Sequence, residues 1–362
     1  MRFVFLVQGE GRGHMTQALA LHQMLVEDGH EVGHVFVGSS SRREIPAYFT
    51  SKINSPITLL QSPNFVSDKH NKSIRLGPTI LQNLLKAGTY LNELGRIHQV
   101  IKDYQPDVVI NFYDMFGGLY CMRYRPSIPW VGVAHQFLAE HPDFKFVPNR
   151  RFDTFTFRML NWITGYRARM KLALSFRPYR EYKGLTIVPP LLRQELKTLS
   201  PKNGDYIHGY LLNDGYSEEV MTWHTQNPQV PLEFFWDKKG APEETVIDKH
   251  LAFHQINDVK FLQKMAGSKA YVSTAGFESI CEAMYLGKPI MMVPVEGHFE
   301  QACNAIDAID SGAGTSHDSF DLDILMSYLP DHQDQSAQFR QWADQSKDMI
   351  LASLRSLRGS ST

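Results

Sequence analysis

Short apolar runs alternate with amphipathic stretches along most of this chain. Each run has the Val, Ile, Leu and Phe content of a buried strand, and helix-like spacing of apolar residues separates the runs. The runs lie at residues 2–8, 31–37, 57–60, 107–113, 128–134, 206–212, 232–236, 251–253, 270–273 and 289–294, and a long helical pattern lies between Thr79 and Tyr104. Strands that alternate with helices form parallel sheets, so the pattern predicts an α/β fold with two Rossmann-like domains.

The length of 362 residues also suits two domains of this size. Pro189-Pro190 and the polar stretch 199–205 interrupt the alternation and indicate a linker. We predict an N-terminal domain over 1–188, a linker over 189–205, a C-terminal domain over 206–332 and a final amphipathic segment within 333–362.

Composition narrows the class of protein. The 37 basic and 38 acidic residues give a net charge of −1, so nothing suggests a nucleic-acid partner. The three cysteines are dispersed in apolar surroundings, which favours reduced thiols and a cytoplasmic protein. Met1 leads directly into a strand pattern and no run is long enough to cross a bilayer, so we expect neither a signal peptide nor a membrane span.

The clearest chemical pattern lies in the second half. A strand pattern ends in Ser273, and Gly276, expected to let the backbone turn sharply, precedes a helix from Phe277. The amino end of a helix suits a diphosphate because its N–H groups and positive dipole end face the ligand. Ser279 and Glu282 share a helix face, which places a carboxylate within reach of ribose hydroxyls. An ordinary crossover, with Ser, Thr and Gly only as turns and caps, would give the same pattern.

A glycine-rich loop, Gly9-Glu10-Gly11-Arg12-Gly13-His14, follows the first strand and opens a helix. The spacing is not Gly-x-Gly-x-x-Gly, and the second strand ends in Val37-Gly38-Ser39 without the acid that binds the ribose of NAD. Ser39, Arg42 and Arg43 leave an NADP site as an alternative.

His14 ends this loop and is a candidate for acid–base chemistry. Imidazole has a pKa near neutrality, so it can accept the proton of an attacking hydroxyl at working pH. Asp114, at the end of the strand 107–113 and on the same sheet edge, is the candidate partner that orients the ring. The alternatives are that His14 caps its helix or donates to a carbonyl, and that Asp114 is only the N-cap of the next helix.

Residues 265–312 resemble the donor-binding signature of inverting glycosyltransferases with the GT-B fold, both the UDP-glycosyltransferases and the lipid-linked N-acetylglucosaminyl transferase of peptidoglycan synthesis. The matching positions are Gly276, Ser279, Glu282, Gly287, Pro289, Pro294, Glu300, Gln301, Asn304 and Ala305. Thr274 departs from the pattern where many relatives have a phosphate-binding His, and Glu278 where many have Asn. The resemblance implies two domains that face each other across a cleft, with the stretch 338–357 packed back on the first.

The resemblance also implies a role for each matching part. His14 would be the catalytic base and Asp114 its partner. The donor would be a nucleotide sugar, with UDP as the expected nucleotide, and no metal or other cofactor is expected. The implied donor-binding residues are Ser273, Thr274, Gly276, Phe277 and Ser279 for the diphosphate, Glu282 for the ribose, Glu300 and Gln301 for the sugar, and Ile256 for the nucleobase. Glu278 is expected to point aside because a carboxylate repels a diphosphate.

The acceptor would bind to loops of the first domain. Topology suggests Gly13, His135, Gln136 and residues 64–69 for this acceptor side. The sequence Asp321-Leu322-Asp323 is similar to the metal-binding Asp-x-Asp of another glycosyltransferase fold, but it follows a polar segment rather than an apolar strand. We therefore interpret it as a helix start and predict no metal site.

One segment breaks the charge balance. Residues 150–180 contain eight basic residues and one acid, Asp153, interleaved with aromatic and aliphatic residues. A basic helix with an apolar side can lie on an anionic membrane, which would favour a lipid-linked acceptor and a position at the inner face of the membrane. The alternative is a helix whose apolar face packs on the first domain.

Together these features predict an inverting, metal-independent glycosyltransferase of the hexosyltransferase type. It would act on an acceptor hydroxyl of a glycan, a lipid or a small molecule, with a cell-envelope precursor as one option. A nucleotide-sugar epimerase, a non-catalytic nucleotide-sugar binding protein and an NADP-dependent oxidoreductase remain as alternatives.

Overall fold

The computed structural model describes residues 1–39, 45–63, 86–212 and 214–360 of the protein. The chain divides into two compact units. The first comprises Met1–Arg193 and the chain from Trp342 onward, and the second comprises Gln194–Gln341. Each unit is built on one sheet with helices around it, so the predicted α/β class is confirmed.

The sheet of the first unit has seven described strands, all parallel, in the order β3-β2-β1-β4-β5-β6-β7. The strands are β1 (Arg2–Gln8), β2 (Glu31–Ser39), β3 (Ile57–Gln61), β4 (Val108–Phe112), β5 (Trp130–Ala134), β6 (Met170–Leu174) and β7 (Thr186–Val188). The described helices before residue 193 are α1 (Arg12–Glu27), α2 (Ala47–Lys52), α3 (Ala87–Tyr104), α4 (Met115–Tyr124) and α5 (Arg151–Thr164). Every residue of β4 and β5 is buried, as expected for central strands covered on both faces.

The sheet of the second unit also has seven described strands, in the order β10-β11-β9-β8-β12-β13-β14, and all pairs except β10–β11 are parallel. The strands are β8 (Ile207–Leu211), β9 (Leu232–Trp236), β10 (Glu244–Val246), β11 (Leu251–Gln255), β12 (Ala270–Ser273), β13 (Ile290–Met292) and β14 (Gly314–Ser316). The helices are α6 (Ser217–Gln226), α7 (Asp258–Gly267), α8 (Phe277–Tyr285), α9 (Phe299–Asp310) and α10 (Leu322–Tyr328).

Two further helices, α11 (Ser336–Ala343) and α12 (Ser346–Ser356), end the chain where one amphipathic stretch was expected. The part from Trp342 onward belongs to the first unit. Trp342 Nε1 donates to the carbonyl of Ser175 at 3.0 Å, and Arg355 forms an ion pair with Asp28. The carboxyl end of the chain is therefore attached to the first unit by buried and surface contacts.

Four strands were not predicted: β6, β7, β10 and β14. Strand β6 lies inside the basic segment 150–180, so the interpretation of that segment as one helix is wrong beyond Thr164. The helix ends at Gly165, and Arg167 has a left-handed φ of 56° that redirects the chain into β6. The strand was not predicted because its charged residue, Lys171, interrupts the apolar run. Lys171 forms an ion pair with Glu140.

Candidate active site

The sheet of the first unit changes direction between β1 and β4. The chain runs outward from β1 to β3 and then returns to β4 on the other side of β1. Open α/β sheets bind ligands outside the carboxyl ends of their strands at such a point. The loops at this edge contain Gly9–Gly11 after β1 and Tyr113–Asp114 after β4.

His14 lies at this edge, in the first turn of α1, and is 8% exposed. Its Nδ1 is 3.2 Å from Gln17 Oε1, and its Nε2 is 3.4 Å from Gln136 Nε2. The ring also stacks on Tyr113, with centroids 5.8 Å apart and 21° between the planes. Residues from three separate parts of the unit therefore hold the imidazole.

A single tautomer satisfies both polar contacts of His14. When Nδ1 carries the proton, it donates to Gln17 Oε1, and the lone pair of Nε2 accepts from the Gln136 amide. Nε2 is then the basic nitrogen of the ring. Gln17 was missed in the sequence, although its spacing of three residues places it on the same helix face as His14.

Asp114 caps α4 by accepting from Phe116 N at 2.8 Å. Ser62 Oγ lies 3.2 Å from both carboxylate oxygens. Within the described residues these two groups supply the hydrogen bonds of the carboxylate, so the predicted pairing with His14 stays a prediction. Burial raises the pKa of Asp114 to about 6, and the charge of Glu10 acts in the same direction.

Gly38 makes room for this carboxylate at the end of β2. A Cβ atom at residue 38 would lie 2.0 Å from Asp114 Oδ2 and 2.7 Å from Ser62 Cβ. Gly9 is equally confined, because a Cβ there would lie 2.8 Å from Val37 Cγ1. In the sequence, Gly38 served only as evidence against an NAD-binding site. The structure shows that the packing around Asp114 requires a glycine here.

Tyr113 and Asn161 complete the surroundings of His14, and neither role was predicted. Tyr113 has a left-handed φ of 58°, and its hydroxyl donates to Asn161 Oδ1. Asn161, fully buried on α5, donates in turn to the carbonyl of Gln136 at 2.7 Å. One asparagine therefore connects the residue that stacks on His14 with the residue that contacts its Nε2.

The predicted acceptor-side residues have different surroundings. Gly13 lies in the first turn of α1, and Gln136 contacts His14. His135 instead has Nδ1 2.8 Å from the carbonyl of Leu174 and packs edge-to-face against Phe144 and Phe176. Residues 64–69, like Arg42 and Arg43, lie outside the described residues.

The second unit has its own change of direction, between β8 and β12. The loop after β12 leads into α8, whose N-cap residue is Gly276 and so offers no side-chain cap. Gly276 has φ −82° and ψ 129°, and a Cβ there would meet nothing within 4 Å. The turn itself does not require glycine, contrary to expectation. The space in front of the helix is open.

The predicted donor residues surround this helix end. Ser273 and Thr274 are buried, and Ser273 Oγ donates to the carbonyl of Thr274 at 2.7 Å. Phe277 is buried and Ser279 is partly exposed, with its hydroxyl 3.4 Å from the carbonyl of Gly276. Glu282 follows one turn deeper and is 2% exposed. Glu278 is also buried, at 7% exposed, rather than directed into solvent.

Residues of α9 support the loops of this site. Gln301 Oε1 accepts from Val295 N at 2.9 Å, and Asn304 Nδ2 donates to the carbonyl of Ala275 at 3.1 Å. Asn304 thereby fixes the loop that precedes α8. Glu300 lies in the first turn of α9 and is partly exposed.

Ile256 directly follows β11 and is partly exposed. Asp321 accepts from Asp323 N as the N-cap of α10, which agrees with the interpretation of this acidic pair as a helix start. In the described ranges no group of three or more His, Cys, Asp or Glu side chains is arranged to hold a metal ion.

Comparisons with known proteins agree with one another. The family model for glycosyl transferase family 1 matches residues 1–331. An uncharacterized glycosyltransferase of Methanosarcina acetivorans is 25% identical over 338 residues, which cover 87% of this chain and 83% of that protein. Phytolacca americana UGT2, solved with UDP-2fluoro-glucose and pterostilbene, aligns with a TM-score of 0.65 at 11% identity over 99% of both chains.

The glycotransferase of kitacinnamycin aligns with a TM-score of 0.61 at 16% identity, over 99% of this chain and 97% of that one. These solved structures share the fold with this chain. Together with the family match they confirm the resemblance drawn from residues 265–312. The chain belongs to glycosyl transferase family 1, and it is a glycosyltransferase with the GT-B fold.

Proposed function

We propose that this protein transfers a hexosyl group from a UDP-sugar to an acceptor hydroxyl with inversion, and that His14 is the general base. The observation that carries the proposal is the surroundings of the imidazole. Gln17 accepts at Nδ1, so Nε2 carries the lone pair at the carboxyl edge of the sheet, where ligands of this fold bind. Gln136 Nε2 lies 3.4 Å from this nitrogen, so the ring is held in one tautomer and the acceptor hydroxyl would displace the amide when it binds.

The reaction is a single displacement. Nε2 of His14 accepts the proton of the acceptor hydroxyl while its oxygen forms a bond to the anomeric carbon of the donor. The bond from that carbon to the diphosphate oxygen breaks, and UDP leaves with the electron pair. One displacement inverts the configuration at the anomeric carbon. No metal takes part in this scheme.

The donor would bind at the amino end of α8. Backbone N–H groups of the first turn and the helix dipole would stabilise the charge that develops on the leaving diphosphate. Glu282, one turn further along, would accept from ribose hydroxyls, and Glu300 and Gln301 would contact the sugar. A UDP-sugar is proposed as the donor by analogy with Phytolacca UGT2, which was solved with UDP-2fluoro-glucose.

Asp114 would stabilise the imidazolium formed during transfer. Its pKa of about 6 means that the carboxylate is charged at neutral pH but readily gains a proton below it. The transfer reaction should therefore lose rate as the pH falls through 6, because a protonated Asp114 no longer stabilises the imidazolium.

The test compares two variants across a panel of nucleotide sugars and acceptor alcohols. Donor affinity is measured by calorimetry, and release of nucleoside diphosphate gives the turnover. His14→Ala should keep the affinity for donor and lose about 10²- to 10⁴-fold in kcat. Glu282→Ala should weaken donor binding about 10- to 100-fold, because a charged hydrogen bond is lost.

Two matched variants serve as controls. His34→Ala removes a partly buried imidazole of the same unit that bonds to Thr58, and Glu244→Ala removes an exposed carboxylate of the second unit. Both should retain turnover and affinity. Unchanged turnover in His14→Ala would eliminate this residue as the base. Conversion of the donor sugar without any acceptor would favour an epimerase, and the anomeric configuration of the product, read by NMR, tests inversion.

A further inference from the structure

The outer face of α5 carries a stripe of exposed apolar side chains. Phe152, Phe155, Met159 and Trp162 are 62%, 65%, 42% and 58% exposed. Their spacings of three and four residues place them on one side of the helix. Single exposed apolar residues are common on protein surfaces, but four on one helix side, three of them aromatic, mark an interaction surface.

The helix does not need this stripe to stay attached to the first unit. Its opposite side is buried through Phe157, Asn161 and Thr164. The carbonyl of Thr164 accepts from Asn111 Nδ2 at 3.1 Å, which adds a polar anchor to those of Asn161. The exposed stripe is therefore surplus to the packing of the unit.

Charge around the stripe indicates what covers it. Arg151 and Arg158 are both exposed, and they lie four residues before and three residues after Phe155, next to the stripe. The one acid of α5, Asp153, is paired with Arg150 at 2.7 Å, and of the basic residues that follow the helix Lys171 and Arg180 are paired with Glu140 and Asp143. A helix that combines aromatic side chains with flanking arginines is complementary to an anionic bilayer, where the rings enter the interface and the arginines contact phosphates.

We propose that the outer face of α5 docks on an anionic phospholipid bilayer, with Phe152, Phe155 and Trp162 inserted at the interface. None of the described helices combines the length and apolar character needed to cross a bilayer, so the contact is with the membrane surface. The docking helix also reaches the candidate site from its other side, because Asn161 bonds to Tyr113 and Gln136. The acceptor is then a lipid-borne hydroxyl. Only this last statement rests on the proposed transfer reaction.

The experiment measures cosedimentation of the full chain with vesicles of phosphatidylcholine, either alone or mixed with phosphatidylglycerol. The wild-type protein should bind the anionic vesicles at least tenfold more tightly than the neutral ones, and high salt should weaken binding. Phe155→Ser/Trp162→Ser should lose at least tenfold in affinity for anionic vesicles. Arg151→Glu/Arg158→Glu should lose the preference for anionic lipid.

The matched control is Val246→Ser/Val259→Ser, which removes exposed apolar side chains from the second unit and should bind vesicles like wild type. Circular dichroism and thermal unfolding verify that each variant is folded, as expected for changes at exposed positions. His14→Ala should also bind vesicles like wild type, which separates docking from catalysis.

Three outcomes would overturn the proposal. The first is that the wild-type protein fails to bind anionic vesicles in any salt, and the second is that the aromatic double variant binds them as well as wild type does. The third is a wild-type dimer that dissociates in the aromatic variant without vesicle binding, which would make the stripe a contact between copies. If His14→Ala loses transfer but still binds vesicles, the result supports both the role of His14 as the base and the docking of α5 on the bilayer.

Discussion

The two units use the carboxyl edges of their sheets in different ways. In the first unit the edge is filled with side chains: His14 is held by Gln17, Gln136 and Tyr113, and Asp114 occupies the space left by Gly38. In the second unit the edge is open, since a Cβ at Gly276 would meet nothing within 4 Å.

The difference corresponds to two kinds of chemistry. A proton acceptor must have a defined tautomer and orientation, which side-chain contacts supply. In the proposed donor site a diphosphate would bind to backbone N–H groups and would need room to approach them, which an uncovered helix end provides. Alanine at Gly38 is therefore expected to disturb the fold. Alanine at Gly276 is expected to leave the fold intact and to weaken donor binding.

The largest effect is expected from Gly38→Ala. The added methyl group would lie 2.0 Å from Asp114 Oδ2, so either the carboxylate or β2 must move. We expect a loss of about 3 kcal/mol in the free energy of unfolding at pH 7, together with reduced turnover. Denaturant unfolding measures the first and diphosphate release the second. Wild-type stability in this variant would mean that Asp114 is not confined as described.

Asp114→Asn should change how stability depends on pH. The folded-state pKa is about 6, above the ordinary value of 3.8, so in the wild type this group stabilises the fold at low pH and loses that contribution as the pH rises from about 4 to about 6. Asn keeps the N-cap of α4 but does not titrate. Relative to wild type, the variant should gain about 2 kcal/mol in unfolding free energy between pH 4 and pH 7. Parallel pH profiles for the two proteins would contradict the raised pKa.

Gln17→Leu should reduce kcat about 10- to 100-fold without changing the affinity for donor. The variant removes the acceptor that keeps the proton on Nδ1, so the ring loses its preferred tautomer. Gln17→Glu is the informative companion, because a carboxylate still accepts from Nδ1 and should restore most of the rate. If both variants were equally slow, the role of Gln17 would be in packing instead.

The smallest effect on the fold is expected from Gly276→Ala. No atom lies within 4 Å of the added methyl group, so the unfolding free energy should change by no more than about 0.5 kcal/mol. Affinity for the nucleotide sugar should nevertheless fall about tenfold, because the methyl group enters the space in front of α8. Calorimetric titration with the nucleotide sugar measures this affinity. An unaltered affinity would place the diphosphate elsewhere.

Much of the fold followed from periodicity. All ten predicted strands are present with bounds that differ by no more than two residues at either end, because buried parallel strands give continuous apolar runs. Of the strands that were missed, β7, β10 and β14 lie at sheet edges, and β6 contains the charged residue Lys171. Edge strands are short and half covered, so they lack the apolar run that identifies a central strand.

The candidate site was predicted less completely. His14 and Gln136 were both named from their places after strands, and the structure brings them into contact. Asn161, by contrast, is a lone asparagine in the basic segment, 25 residues from Gln136 in the chain, and nothing local indicates that it bonds there. Several residues of the donor signature also have structural partners, as when Lys288 donates to the carbonyls of Lys202 and Ser268.

Local periodicity was enough to identify most of the strands. Position after a strand was enough to identify the loops at the ligand-binding edges and the residue types there that can do acid–base chemistry. The packing of the folded chain brings Gln136 to Nε2 of His14, fits Asp114 against Gly38 and turns the aromatic side of α5 outward. Those features depend on contacts between segments that are distant in the chain. Which side of a helix faces outward is set by which side the rest of the chain packs against.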